Sequence, residues 1–290
     1  MKLKQVAKKS DLWKFIAFAV IFSSVFLLYP IFYSIYISFH NFQGLNSVFN
    51  GFDNYFRMFQ DDVFRKALMN NFTYLIFQVP IMLVLGLLLA FLLNSPNLKG
   101  KTFFRLAIFL PCVTSLVSYA VLFKMMFQVS GVVNDFLLTI GLIQSPIDWL
   151  NSPFWAKVTI IIALCWRWTG YNMVFYLAGL QNISADTLEA AEMDGANAFQ
   201  KFFRVVIPQL KPVIVFTTIT STIGTIQLFD EVVNLTGGGP SNETLTAAQL
   251  IYNHSFTYTS NFGYSATLSW ALVVIVALLS IIQLVITNKK

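Results

Sequence analysis

The chain has 290 residues, of which 57% are hydrophobic and 11% charged, with a mean hydropathy of +0.67 and a formal net charge of +6. Soluble domains carry about 25% charged residues, so this composition excludes a water-soluble globular protein and identifies a membrane protein. The positive charge gathers at the ends of apolar runs, where it reads as an orientation signal rather than a nucleic-acid patch, and no nucleic-acid partner is expected.

Six apolar runs are long enough to cross a hydrocarbon core of roughly 30 Å as helix. They lie near Phe15–Phe39, Phe72–Leu93, Phe103–Phe127, Val158–Leu180, Val213–Leu235 and Ala266–Ile286. The expected fold class is all-α, a polytopic membrane protein with six transmembrane helices. The first run is too long for a removable signal peptide and lacks a small-residue cleavage site, so it counts as a helix. With the amino terminus inside, the inner segments hold Lys2, Lys4, Lys8, Lys9, Lys14, Lys99, Lys101, Arg105, Lys201, Arg204, Lys211, Lys289 and Lys290, against Arg57, Arg65 and Lys66 outside. Basic residues near span ends stay on the cytoplasmic side, so both termini are expected to be cytoplasmic. Pro30, Pro80 and Pro111 are expected to kink their spans. Cys112 and Cys165 sit in apolar runs as small packing residues and point to neither a disulfide framework nor a metal site.

Gly100-Lys101-Thr102 is similar to the end of a phosphate-binding loop, but the required leading glycine is Ser95, followed by Pro96, and no strand pattern precedes it. No grouping of nucleophile, base and orienting residue occurs, so enzyme activity is not expected.

The fourth run places Arg167 about ten residues from its start, roughly 15 Å deep at 1.5 Å per residue. An ionisable group there costs several kcal/mol (~3 on insertion scales) unless it faces a cavity or a partner. Trp166 and Trp168 flank it, and Thr169, Gly170, Tyr171 and Asn172 follow. Indole faces beside amide, hydroxyl and guanidinium donors suit a sugar, which offers both hydroxyls and apolar C–H faces. The competing account pairs Arg167 with Asp230 or Glu231 to hold two helices together. Trp166 and Trp168 point to different faces, so one of them packs. On the fifth run Gln227 adds a donor and an acceptor, while the Thr217–Thr222 hydroxyls read as bonding backbone or neighbouring helices.

Between the fourth and fifth runs the chain reads Asp186-Thr-Leu-Glu189-Ala190-Ala191-Glu-Met-Asp194-Gly195, then nine residues, then Val205-Val-Ile207-Pro208. Asp186 with Glu189 three residues on is a cap pattern for a short helix. The alanines admit a close partner surface, Gly195 can take a positive φ, and Pro208 and Pro212 fit a break before the fifth run. Read alone, the segment could be an ordinary amphipathic connector. Its full spacing resembles the EAA signature of importer permeases in the ATP-binding-cassette class, with Val205 and Ile207 where Ile and Leu are commoner and Ser184 where many sugar permeases carry Pro.

The segment Thr236-Gly237-Gly238-Gly239-Pro240, with Thr244 beyond it, is similar to the outer loop of carbohydrate importers of the maltose and glycerol-phosphate type, and Gly51, Asn54 and Tyr55 resemble their first outer loop. Taken alone, the glycines and proline could be a helix stop. The resemblance covers about the whole chain and implies a type I importer permease fold. Its implied divisions are an amino-terminal cytoplasmic segment, first helix and outer loop over 1–66, a permease core over 67–287 with a cytoplasmic coupling loop at 184–211, and a tail at 288–290.

The same resemblance implies ATPase coupling through Asp186, Glu189, Ala190, Ala191, Asp194, Gly195 and Pro208, and contact of Gly238, Gly239 and Pro240 with an extracytoplasmic solute-binding protein. Its sugar-contacting positions fall near Trp166, Arg167, Thr169, Gly170, Met173, Ser221, Gly224, Thr225 and Leu228, to which the residue chemistry adds Asn172 and Gln227. The implied partners are a homologous second permease, two ATPase subunits, the binding protein, a sugar and the bilayer of a prokaryotic plasma (inner) membrane. No cofactor is expected on this chain, with ATP and Mg held by the ATPase. An ion-coupled secondary transporter, a phosphorylated-polyol permease and a non-transporting scaffold are the alternatives.

Overall fold

The computed structural model describes residues 9–43, 46–95 and 98–288. Lys2, Lys4, Lys8, Lys289, Lys290 and Pro96, used in the reading above, lie outside the described residues. In chain order the elements are α1 (Lys9–Ser23), α2 (Tyr29–Ser38), a hairpin of β1 (His40–Gln43) and β2 (Asn46–Phe49), α3 (Asp53–Gln60), α4 (Asp62–Asn94), α5 (Lys101–Val113), α6 (Leu116–Phe127) and α7 (Val132–Thr139). There follow α8 (Pro153–Gln181), α9 (Ala185–Met193), α10 (Ala198–Lys201), α11 (Ile207–Ile226), α12 (Asp230–Leu235), α13 (Ala247–Tyr252) and α14 (Phe262–Asn288). Short π-helical turns fill 24–28, 202–206 and 253–257.

Among the described residues six helical stretches are long and apolar enough to cross a membrane: Ile16–Ser38, Asp62–Asn94, Leu116–Thr139, Pro153–Gln181, Phe199–Ile226 and Phe262–Thr287. The first, second, fourth and sixth contain the expected runs to within a residue or two. The third does not form one helix from Phe103 to Phe127. Helix α5 stops at Val113, and Thr114 and Ser115 are extended, with ψ of 150° and 133°. The cause is local. Pro111 cannot donate to the preceding turn, and the Thr114 hydroxyl takes the Pro111 carbonyl at 2.7 Å in place of a continuing helical amide.

The fifth span also differs from expectation. Its helix begins in α10 and ends at Ile226, and Gln227–Phe229 separate it from α12. Pro208 makes no break. The 202–206 turn is π-helical, with the Ile207 amide donating to the Phe202 carbonyl five residues back, and this wider turn absorbs the donor that Pro208 lacks. Pro30 follows the π turn at 24–28 at the same spacing, with Tyr29 donating to Ser24. Pro80 lies inside an unbroken α4.

The chain divides into two compact units, 1–61 with 251–271, and 62–250 with 272–290. Helix α4 starts at Asp62, whose carboxylate suits the positive end of a helix, and runs on as one rod. In the first unit Asn54 is buried and its amide donates to the carbonyls of Ser38 and His40, both at 2.9 Å, closing the start of α3 back on the end of α2.

Among the described residues of the second unit, two packed cores stand out. Tyr74, Tyr119, Phe123, Phe127, Ile160, Leu164 and Val232 join α4, α6, α8 and α12 in one, and Ala90, Met173, Tyr176, Leu177, Phe202 and Leu210 join α4, α8, the π turn and α11 in the other. Lipid is as apolar as these side chains, so close packing holds such helices together in a bilayer. Helices α5 and α8 touch backbone to backbone at Gly170, where an added Cβ would lie 2.0 Å from the Ile108 carbonyl oxygen. Gly170→Ala is therefore expected to destabilise the protein by about 1–3 kcal/mol through overpacking, read as a lowered unfolding temperature in detergent. Gly224→Ala meets nothing within 4 Å and should leave that temperature in place.

Candidate functional site

The segment between α8 and α11 forms an exposed elbow. Ser184, with ψ of 140°, stands at the N-cap of α9, and its hydroxyl pairs with that of Thr187 at 2.7 Å. Asp186 is thus a first-turn residue rather than the cap. Gly195, at φ +78°, ends the helix: its amide donates to the Glu192 carbonyl at 2.9 Å and the Ala196 amide to the Ala191 carbonyl at 3.0 Å. This is the reciprocal pattern that a left-handed residue permits. Asn197 and Gln200 then cap α10 mutually, each side-chain oxygen accepting the other's backbone amide at 2.9 Å. Asp186, Glu189, Ala190, Asp194, Gly195 and Pro208 are all exposed, and Ala191 is half-buried. Lys201 pairs with Glu192 across the elbow. The sequence reading passed over Met193, 89% exposed, and Phe199, 72% exposed, although an apolar residue at each end of a charged loop was a signal open to view.

From this elbow one continuous helix, Phe199–Ile226, reaches a cavity of about 510 Å³. Of the expected pathway residues, Arg167, Asn172, Ser221, Gly224, Thr225, Gln227 and Leu228 line it, as do Gln78, Trp168, Tyr171, Asp230 and Glu231. Trp166 and Thr169 lie instead on a shallow apolar hollow with Pro111 and Cys165, Gly170 is spent on the contact with α5, and Met173 is fully buried. Trp166 packs on Tyr119 and Phe123 at 5.9 and 5.4 Å, so of the two indoles it is Trp168 that faces the cavity. Gln78 lay outside the reading because α4 carries no motif around it.

Arg167 is 5% exposed. Its terminal nitrogens donate to the carbonyls of Pro111, Cys112 and Thr114 at 3.4, 3.4 and 3.0 Å, closing the open end of α5. Its Nε lies 4.0 Å from Glu231, whose same oxygen accepts the Trp168 indole N–H at 3.2 Å. The end of α11 is closed likewise: the fully buried Asn71 donates to the carbonyls of Thr225 and Ile226 at 3.0 and 3.1 Å and accepts the Ala247 amide at 2.9 Å.

Within the glycine loop Gly238 is buried against Gln249, which donates to the Gly237 carbonyl at 2.9 Å, and Thr244 donates to the Gly239 carbonyl at 2.7 Å. Gly239 and Pro240 are half-buried, and Ser241 and Asn242 are the exposed tip. Glu243 bridges Lys66 at 2.7 Å and Lys157 at 3.0 Å, and Lys66 also donates to the Ser241 carbonyl at 2.9 Å. The hydrogen bonds from Lys66 and then Lys157 hold the Glu243 carboxyl below its usual range.

Residues 64–289 match the family described as binding-protein-dependent transport system inner membrane component. The chain belongs to this family. As a permease of that group it is a multi-pass membrane protein. It is 52% identical over 280 residues to the lactose transport system permease protein LacF of Rhizobium radiobacter, covering 96% of this chain and 94% of that one. To the multiple sugar-binding transport system permease protein MsmF of Streptococcus mutans it is 32% identical over 293 residues, covering 100% and 99%. A chain in the crystal structure of a bacterial ABC transporter involved in the import of the acidic polysaccharide alginate shares the fold, with a TM-score of 0.83 at 23% identity and coverage of 96% and 95%.

Arg167→Met and Asn71→Leu each strand carbonyls inside the permease, and each is expected to cost about 1–3 kcal/mol, measured as a fall in unfolding temperature in detergent. The Glu243 bridge carries a pH signature. A depressed carboxyl pKa contributes stability that is complete above the unfolded value near ~4.3 and is lost as pH falls through the lower folded value. The stability gap between the native chain and Glu243→Gln should therefore stand at pH 7 and close in strong acid, as followed by thermal unfolding across that range.

Proposed function

We propose that this permease forms half of the translocation path of an ATP-driven importer of neutral saccharides, oligosaccharides included, driven through its 184–211 elbow by a separate ATPase. The observation that carries the proposal is the unbroken rod from the exposed elbow to the cavity. Twenty-two residues separate Phe199 from Ser221, roughly 33 Å at 1.5 Å per residue, and a rod of that length turns a push at one end into displacement of the cavity wall. The elbow lies on the cytoplasmic side in this reading, in keeping with the excess of basic residues on that side. The permease core over 67–287 pairs with a homologous second permease, two ATPase subunits hold ATP and Mg, and both termini are cytoplasmic.

The saccharide assignment draws support from relatives named for lactose, arabinooligosaccharide and multiple-sugar transport. The cavity chemistry agrees. Asp230 and Glu231 against Arg167 give a formal charge of 1 − 2 = −1, and the terminal donors of Arg167 are engaged by carbonyls, so an anionic polyol phosphate finds an unfavourable wall. The exposed tip at Ser241–Asn242, rather than the buried Gly238, is the surface offered to a solute-binding protein outside.

Gly195→Asp, which puts a side chain at φ +78° and a charge on the elbow, is expected to reduce co-purification of the ATPase at least tenfold with insertion unchanged. Glu189→Lys is expected to act in the same direction. Undiminished co-purification, or sugar uptake by the permease reconstituted without an ATPase, would overturn the proposal.

A further inference from the structure

Helix α3 (Asp53–Gln60) carries three faces of different chemistry. Its side chains advance by about 100° per residue, so residues three and four apart share a face. Asn54 and Met58 form one face and are buried. Asp53, Arg57 and Gln60 form the second, exposed and polar, with the Arg57 guanidinium 4.1 Å above the Tyr264 ring. Phe56 and Phe59, joined by Phe52 at the N-cap, form the third and are 65, 81 and 63% exposed. Three rings bare on so short a helix make an apolar patch, and such patches mark where a membrane or a partner sits.

The helix is fastened at the depth where a membrane span ends. Ser38 is the last residue of the first spanning stretch; its carbonyl accepts the Asn54 amide at 2.9 Å and its hydroxyl pairs with that of Tyr55 at 2.8 Å. The Phe52 ring stands edge-on to Phe39 at 5.3 Å, and Tyr36 and Phe32, on the same face of the span as Phe39, are exposed. The phenylalanine stripe therefore continues the bare apolar flank of that span at the level where hydrocarbon gives way to headgroups. We propose that α3 is an interfacial anchor, with Phe52, Phe56 and Phe59 seated among the upper acyl chains of phospholipids and Asp53, Arg57 and Gln60 turned to headgroups and water. Division into a protein face, an apolar face and a charged face is what a helix needs where protein, bilayer and water meet, and tyrosines such as Tyr36 and Tyr55 favour that same level. Through Asn54 and Tyr55 the anchor holds the end of the first span at a fixed depth.

The test places single nitroxide labels at Phe56→Cys, Phe59→Cys and Gln60→Cys in the full chain, with the two free cysteines replaced as Cys112→Ala and Cys165→Ala. All three labelled positions are exposed, so the labels displace no packed side chain. The protein is purified with the subunits that accompany it and reconstituted in nanodiscs of phosphatidylethanolamine and phosphatidylglycerol. Spin-relaxation measurements then compare collisions with oxygen, which concentrates in hydrocarbon, against collisions with a nickel chelate, which stays in water. The oxygen-to-nickel ratio at positions 56 and 59 is expected to exceed that at 60 at least threefold. A smaller difference would put the stripe in water, and labels at 56 and 59 that meet neither reagent would put a protein partner on it; either result overturns the anchor.

Discussion

Hydrocarbon supplies no hydrogen bonds, so a helix that stops inside a membrane leaves its last carbonyls facing a cost of several kcal/mol (~4 or more on alkane scales) unless protein closes them. This chain stops two helices beside its cavity, α5 at Val113 and α11 at Ile226. Both ends are closed by a buried side chain from another helix: Arg167 on α8 holds the carbonyls of α5, and Asn71 on α4 holds those of α11. Ending helices there opens room for the cavity, and the two caps are what let the fold tolerate it. The cavity is therefore a consequence of paired interruptions rather than of loose packing.

The third and fifth spans meet their prolines differently. Pro111 precedes an interruption, because Thr114 is placed to take its carbonyl. Pro208 precedes none, because a π turn upstream re-registers the bonding and the helix runs through. The outcome is mechanical. A break at Pro208 would leave the elbow on a hinge, free to move without the cavity wall, whereas a continuous helix ties Phe199 to Ser221 and Thr225 along one axis. The Lys201–Glu192 ion pair and the Asn197–Gln200 caps stiffen the elbow's own corner in the same sense.

Hydropathy made four spans legible because each of those apolar runs is also one helix. It misplaced the third and the fifth because hydropathy records apolar length and not where a helix is capped. The cap on α11 comes from Asn71, and the chain separation between it and Thr225 carries no local signal. The elbow was legible in spacing down to the positive φ of Gly195, since a short helix with a glycine stop is local chemistry. Its N-cap was read two residues late, at Asp186 rather than Ser184, because either residue type can cap. Trp166 and Trp168 are two positions apart on α8, and which indole faces inward depends on where Tyr119 and Phe123 lie, a fact of tertiary packing. Gly238 looked like a surface loop and is buried for a similar reason: Gln249, eleven positions further on, folds over it.

Arg167 shows why residue type alone is a poor guide to ligand charge. A guanidinium deep in a span reads as a site for an anion or as half of an ion pair, and the structure gives it a partner in Glu231. Its two terminal nitrogens, however, are on carbonyl oxygens, and its Nε makes no hydrogen bond, lying 4.0 Å from the Glu231 oxygen that accepts the Trp168 indole N–H. The charges thus hold up the architecture of the cavity and answer mainly to each other and to backbone. Beside them the same cavity is lined by the exposed Asp230 and by the uncharged Tyr171, Ser221 and Gln227. An anion entering this cavity would have to compete with the carbonyls for Arg167 while Asp230 stands exposed on the wall, so the deep guanidinium does not by itself call for an anionic ligand.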